Sequence, residues 1–286
     1  MIQTFWTSNL PTKRSEEQYW ELPITTQRWK TDSLDLSNLL WEFSPINLKQ
    51  MDTVALLNRV DTKFIIPIDK LANALPSLYS DYRILVIDGR RMSHYRTLYF
   101  DTQNFSLYNL HVNGNSERYK VRSREYLDSN EAFLEVKHKN RKDRTIKERI
   151  QTVEPVIELD SQTSDWLQDI LPYHSCDLEP KIWVMFTRMT LVNKHLSERV
   201  TIDIDLTFYA PINIVQMDGI AIAEVKRDGA HLHSPFLDLM HAQRYQPQGF
   251  SKYCIGTSLL YDQVKKNSLK PKLLWLEKIS KGVRHE

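Results

Sequence analysis

The sequence predicts an α+β fold: an antiparallel sheet or barrel with helices packed outside it. Three observations carry that expectation. Short segments alternate apolar and polar residues at period two, as strands do. They follow one another through short connections, some marked by Gly and Asn, as hairpins do. Helical spacing is confined to a few segments between and after them.

The elements run as follows. Leu48, Met51, Ala55 and Leu56 recur at helical spacing and predict a short helix over 47–58. Residues 63–67 read as a strand, and Asp69 is placed to cap a helix over 70–79. A strand over 82–87 ends in a turn at Asp88-Gly89, with 91–100 as its hairpin partner. Residues 104–111 read as a helix, and Asn113-Gly114-Asn115 as a turn. Three strands follow near 116–127, 131–139 and 144–151. Residues 164–171 predict a short helix capped by Ser164. Residues 181–191 and 198–206 form a strand pair, and 219–227 a further strand. Helices are expected over 234–245 and 250–263, then a basic, mobile tail after Asn267. These elements suggest an extension over 1–44, a main domain over 45–263 and a tail over 264–286.

The strands carry an unusual charge pattern. Arg118, Lys120, Arg122 and Arg124 fall on alternate positions and so share one face. Glu135, Lys137 and Lys139 share a face in the next strand, as do Lys147 and Arg149 in the one after. An ordinary solvated face also alternates, but it mixes its signs. A face biased to cations over consecutive strands suits a dense, extended anion. Closing the sheet would remove its edges and gather those cations around one lumen, where each attracts phosphate more strongly. Arg199, Thr201, Asp203 and Asp205 share a further face, and Glu224 and Lys226 another. A carboxylate among phosphate-binding cations repels the phosphate unless a divalent metal takes oxygens of both; Glu224 otherwise reads as a salt bridge to Lys226. On parity alone Arg188 lies with Ile182, Val184 and Phe186, and reaches the lumen only if a bulge shifts its strand.

Composition narrows the function classes. The net charge is only +2, so basic residues are not in general excess, which argues against a nucleic-acid binder. No glycine-rich phosphate loop occurs among the 7 glycines, so side chains must bind any phosphate. Cys176 and Cys254 are not in metal spacing and read as buried free thiols of a reducing, cytoplasmic compartment. His231 and His233 before a Pro read as a loop. No apolar run approaches the roughly 20 residues needed to span a bilayer, and the first 30 residues are not a signal peptide. Trp6, Trp20 and Trp29 suggest that the leader docks on the body or on a partner.

Several segments, in this order, resemble the triphosphate tunnel metalloenzymes, and within them the VTC domain of polyphosphate polymerases. They are Asn58-Arg-Val-Asp-Thr-Lys-Phe64, Tyr99-Phe-Asp-Thr102, Arg118-Tyr-Lys-Val-Arg-Ser-Arg-Glu-Tyr126, Phe133-Leu-Glu-Val-Lys137, Thr145-Ile-Lys-Glu-Arg149, Arg188, Arg199-Val-Thr-Ile-Asp203, Ala223-Glu-Val-Lys226 and Phe250-Ser-Lys-Tyr-Cys254. The resemblance implies an antiparallel tunnel of about eight strands that binds triphosphate and polyphosphate. It implies that Lys63, Arg122, Arg124, Lys137, Arg188, Arg199 and Lys252 hold the reacting phosphates, with Ser251 beside them. Arg59, Lys120, Lys147, Arg149 and Lys226 join them by parity and position. Glu224 is the expected ligand of Mn²⁺ or Mg²⁺, with Glu135 as a second carboxylate.

One departure bears on function. The cyclase and thiamine-triphosphatase branch opens with Glu-x-Glu-x-Lys, whereas this chain has Arg59-Val-Asp61-Thr-Lys63. That favours transfer of the γ-phosphoryl group of ATP to polyphosphate. Triphosphate hydrolysis, or a silent polyphosphate or inositol-phosphate sensor, are the rival readings. Any membrane association would go through a partner protein.

Overall fold

The structure, a computed structural model, describes residues 36–52, 59–142, 144–172, 174, 177–211, 213–228 and 234–282. The leader tryptophans, the second half of the helix expected over 47–58, Cys176, His231 and His233 lie outside the described residues.

Two short helices and a strand come first: α1 (Leu36–Trp41), β1 (Ser44–Ile46) and α2 (Leu48–Asp52). Then come β2 (Arg59–Pro67), α3 (Ile68–Ala74) with a 3-10 turn to Leu78, β3 (Tyr82–Leu85), β4 (Ser93–Thr102) and α4 (Ser106–Val112). The basic run forms β5 (Arg118–Tyr126), β6 (Glu131–Lys139) and β7 (Thr145–Thr152). After α5 (Ser161–Gln168) come β8 (Leu178–Asn193), β9 (Glu198–Ala210), β10 (Asn213–Met217) and β11 (Ile220–Asp228). Helices α6 (Pro235–Ala242), α7 (Lys252–Leu260) and α8 (Lys270–Gly282) follow.

One sheet holds all the strands among the described residues. Its main path runs β2-β11-β9-β8-β4-β5-β6-β7, with β10 beside β9, β3 beside β8, and β1 on β3. The β1–β3 pair is parallel; the pairs along the main path are antiparallel. The eight-strand antiparallel path agrees with the expected tunnel. Its end strands β2 and β7 are not hydrogen-bonded neighbours, so a seam remains where a closed barrel would pair them.

Some local expectations fail for visible reasons. The strand at 82–87 is not the hairpin partner of β4: β3 pairs with β1 and β8, and only an Ile87–Arg90 bridge marks the turn. Helix α3 begins at Ile68 behind Pro67, so Asp69 sits within its first turn rather than at its cap. Asp160, not Ser164, caps α5 by accepting from the Thr163 amide at 2.8 Å. The expected mobile tail holds α8, which buries Leu273 and Leu276.

The core divides by sheet face. Val200, Ile202, Ala223 and Phe64 lie on the outer face beneath α1, α3 and α6. Leu98, Val121, Leu134 and Trp183 lie on the outer face beneath α5. Ile182, Val184, Phe186, Leu206 and Phe208 point the other way and meet Tyr253, Cys254 and Ile255 of α7. Helix α7 therefore packs against the inner face and fills one end of the interior. An added Cβ on Gly256 would stand 2.4 Å from Phe208 Cδ1, so only glycine permits this approach.

Candidate functional site

The inner face beyond α7 is polar. Period-two geometry brings Asp61 and Lys63 of β2, Glu224 and Lys226 of β11, Arg199 and Thr201 of β9, and Arg188 of β8 to it, and Asp203 of β9 joins them through its ion pairs with Arg188 and Lys252. Across the sheet it continues with Lys120, Arg122 and Arg124 of β5, Glu135 and Lys137 of β6, and Lys147 and Arg149 of β7.

Arg188 needs no bulge in its own strand. It keeps the parity of Val184 and Phe186, and that parity faces inward throughout, apolar beneath α7 and charged beyond it. The expectation that Arg188 reaches the lumen only through a bulge in its strand fails because the apolar residues of its face pack against α7. The bulge lies in β9: Met185 pairs with Thr207 and Thr187 with Ile204, so β9 has one residue more. Asp205 absorbs it at φ 54°. This breaks the expected alignment of Asp205 with Arg199, Thr201 and Asp203, and puts Leu206 and Phe208 on the inner face instead.

Two rows cross β5, β6 and β7. Arg122, Glu135 and Arg149 stand in register, and Glu135 accepts from Arg122 Nε at 2.6 Å. Lys120, Lys137 and Lys147 stand in the neighbouring row, three like charges side by side. Burial first, then Lys120, Lys147 and Lys63, pushes the Lys137 ammonium down to about 7. Arg149 also lies over the Phe133 ring at 4.6 Å. Lys147 and Arg149 sit on the outermost strand and are exposed.

The carboxylates on the other wall act as clamps. Arg188 donates to both oxygens of Asp203, at 2.5 and 2.8 Å, and Lys252 pairs with the same carboxylate. Burial would raise Asp203, but Arg188 and Lys252 outweigh it and hold the carboxyl well below its usual range. Glu224 takes Lys63 at 2.6 Å on one oxygen and Lys226 at 2.8 Å on the other. Burial opposes ionisation there too, and Lys226 and Lys63 overcome it. Lys226 itself falls to about 8: burial and Arg188 work against the charge that Glu224 favours.

Helix α7 delivers the last groups. Ser251 caps it by accepting from the Cys254 amide at 3.2 Å, and Lys120 Nζ donates to the Ser251 hydroxyl at 3.0 Å. Asp101 anchors α7 from beneath: it accepts from the Tyr253 hydroxyl and from the Leu107 and Tyr108 amides at the start of α4. Cys254 is a buried free thiol, as expected.

Two large cavities meet on this face. One, of about 590 Å³, includes Lys63, Lys120, Glu224, Ser251 and Lys252 in its lining. The other, of about 820 Å³, includes Glu135, Arg149, Arg199 and Thr201. They share Arg122, Arg124, Lys137, Lys147, Arg188 and Lys226 as a waist. Every expected site residue with a described side chain lines one or both. Arg59 stands opposite Asp228 on β2, and its side chain is outside the described set.

Other lining residues were not singled out from the sequence. Asp61 has the parity of Lys63, a signal that was present but unused. Tyr99 accepts from Arg122 at 3.5 Å, and its parity within β4 marked it too. His111 and Lys272 reach the cavity from α4 and α8, and no local pattern announces that.

The VTC domain family matches residues 58–261, which takes in every strand of the main path. The chain belongs to the VTC domain family. Known structures similar to this VTC domain include a candidate adenylate cyclase from Vibrio parahaemolyticus, at 12% identity and TM-score 0.42, covering 70% of this chain and 98% of that one. A candidate adenylate cyclase from Bacillus halodurans aligns at 12% identity and TM-score 0.41, covering 68% and 94%. A candidate adenylyl cyclase from Hippeastrum, described as having a dominant triphosphatase activity, aligns at 11% identity and TM-score 0.41, covering 70% and 94%. No curated protein sequence matches the chain. Among the described residues, no helix is long and apolar enough to cross a membrane.

Proposed function

We propose that this VTC domain is a metal-dependent polyphosphate polymerase that transfers the γ-phosphoryl group of ATP to a growing polyphosphate chain. The observation that supports it most is the shared waist of the two cavities, lined by six cations and continuous with cationic walls on either side. A single triphosphate needs one such compartment; a donor and an acceptor chain meeting end to end need two.

The residues divide the work. Arg122, Arg124, Arg188 and Arg199 offer forked donors suited to bidentate phosphate contact, while Lys63, Lys137 and Lys252 act as point charges. The acceptor's terminal phosphate oxygen attacks the γ-phosphorus. The bond from that phosphorus to the β–γ bridging oxygen breaks, and ADP leaves with the oxygen. No side-chain nucleophile is required; alignment and charge neutralisation carry the catalysis.

The donor set fits a hard divalent cation. Glu224 and Asp61 bring carboxylate oxygens into a largely cationic cavity. Among the described residues no three potential ligands converge, so phosphate oxygens would complete the coordination. Glu224 would hold Mn²⁺ or Mg²⁺, with Glu135 offering a carboxylate in the other cavity, and the metal would neutralise charge on the triphosphate.

The test is a gel assay for long polyphosphate after incubating the protein with ATP and either metal, beside Glu224→Gln. Chains from the wild type alone are expected. The variant frees Lys63 and Lys226, so it should keep or gain polyphosphate affinity while losing turnover. Free phosphate without chains would instead mark a triphosphatase, and binding without turnover a sensor.

A further inference from the structure

The cavity beneath α7 is lined by more donors than those assigned to phosphate so far. Three further groups from three elements line it: His111 at the end of α4, Arg118 at the start of β5, and Lys272 in the first turn of α8. His111 and Arg118 also line an adjoining cavity of about 440 Å³ that reaches Val60 of β2 and Thr145 of β7, at the seam between the sheet's end strands. Helix α8 lies beyond the matched residues 58–261, so Lys272 is outside the segment that the family match covers. Arg118 spends one arm on the Asn115 carbonyl, and Lys272 spends one proton on the Gly249 carbonyl. Each retains further donors. The buried Nδ1 of His111 has no hydrogen-bond partner.

We propose that these three groups form a further subsite for chain length, in which His111, Arg118 and Lys272 bind the part of a polyphosphate chain that extends beyond three phosphates. The inference rests on the tunnel being a polyphosphate site, and it adds which chains the tunnel prefers. Tripolyphosphate sits within the waist and the Lys63 wall; a longer chain extends beyond them and meets three more donors.

The subsite also couples binding to protons. His111 faces Arg118 and Lys120 from β5 and Lys137 and Lys139 from β6, while Asp61 and Lys63 of β2 and Cys254 of α7 line the same cavity. Burial, then those cations, pushes the imidazole down to about 2, so it is neutral in the empty protein. A bound polyanion neutralises those cations and so raises the affinity of the imidazole for a proton.

The experiment compares affinities for tripolyphosphate and for a long-chain polyphosphate in the full chain and in the double variant Arg118→Gln, Lys272→Gln. The expected result is about a tenfold loss for the long chain, with tripolyphosphate held within about twofold. Equal losses for both ligands, or no loss for either, overturn the subsite. If the wild type binds neither ligand, the polyphosphate reading of the tunnel has failed, which is a different result. Calorimetry at about pH 5.5 in two buffers of different ionisation enthalpy supplies a second readout. Long-chain binding should carry more proton uptake in the wild type than in His111→Asn; equal uptake removes His111 from the subsite.

Discussion

Asp203 shows how a single buried carboxylate organises this tunnel. Only 4% of its side chain is exposed, and it holds both Arg188 and Lys252 in place before any phosphate arrives. Replacing it with Asn would leave two buried cations facing each other. Breaking such a pair costs about 3–5 kcal/mol, so Asp203→Asn should lower the urea midpoint sharply. Added polyphosphate should recover part of that loss, because it offers the same cations an anion. Asp205, two residues on, makes the opposite case. Burial, reinforced by Asp218, raises its carboxyl to about 6. A carboxyl raised on folding stabilises fully below its unfolded value of 3.8, and that contribution is lost as pH rises through about 6. Asp205→Asn should therefore stabilise the protein at neutral pH by about 1–2 kcal/mol, after discounting for partial exposure. The gain should vanish in melts near pH 4. Asn also tolerates the left-handed backbone of the bulge.

At the scale of elements, α7 joins core and site. Its buried face holds one end of the interior shut, and its first turn carries Ser251 and Lys252. Gly256 sets how closely it approaches β8 and β9. Gly256→Ala gains about 1 kcal/mol of helix propensity but forces a methyl against Phe208 and Ile182, and overpacking typically costs about 1–3 kcal/mol. The net expectation is a modest loss of stability with a larger loss of triphosphate affinity, because the helix can relieve the clash only by carrying Lys252 away from Asp203. A stability loss with unchanged affinity would show that α7 does not position the phosphate-binding groups.

The whole molecule carries a conflict that the ligand resolves. Lys120, Lys137 and Lys147 repel one another across three strands, and the sheet holds them together through cores on both of its faces. Tripolyphosphate at about a hundredfold over its dissociation constant adds about 2.7 kcal/mol of stability, roughly 5–10 °C in melting temperature for a domain of this size. Moderate salt should raise the melting temperature of the empty protein by screening the repulsion, and should shrink the shift that tripolyphosphate produces. Scanning fluorimetry over a salt series tests both. A melting temperature that falls with salt would mean that the ion pairs, not the lysine row, dominate the charge balance.

Period-two alternation was enough to place Arg122 with Arg124, Lys137 with Glu135, and Glu224 with Lys226, because a strand's geometry fixes those faces locally. The ordered motifs likewise carried the family and most of the cavity lining. What alternation cannot reveal is which face is inside, or how far its chemistry changes along one strand. Arg188 sits on a face that is apolar at Phe186 and charged one step later because α7 packs against the first part and leaves the second open. The bulge at Asp205 shows only in how β9 pairs with β8, two strands whose register no local pattern fixes. His111 and Lys272 reach the cavity from helices whose own sequence periodicity concerns only their packed faces. Each of these rests on contacts between residues far apart in the chain. Their free energy depends on burial in the assembled molecule, so tertiary structure alone decides them.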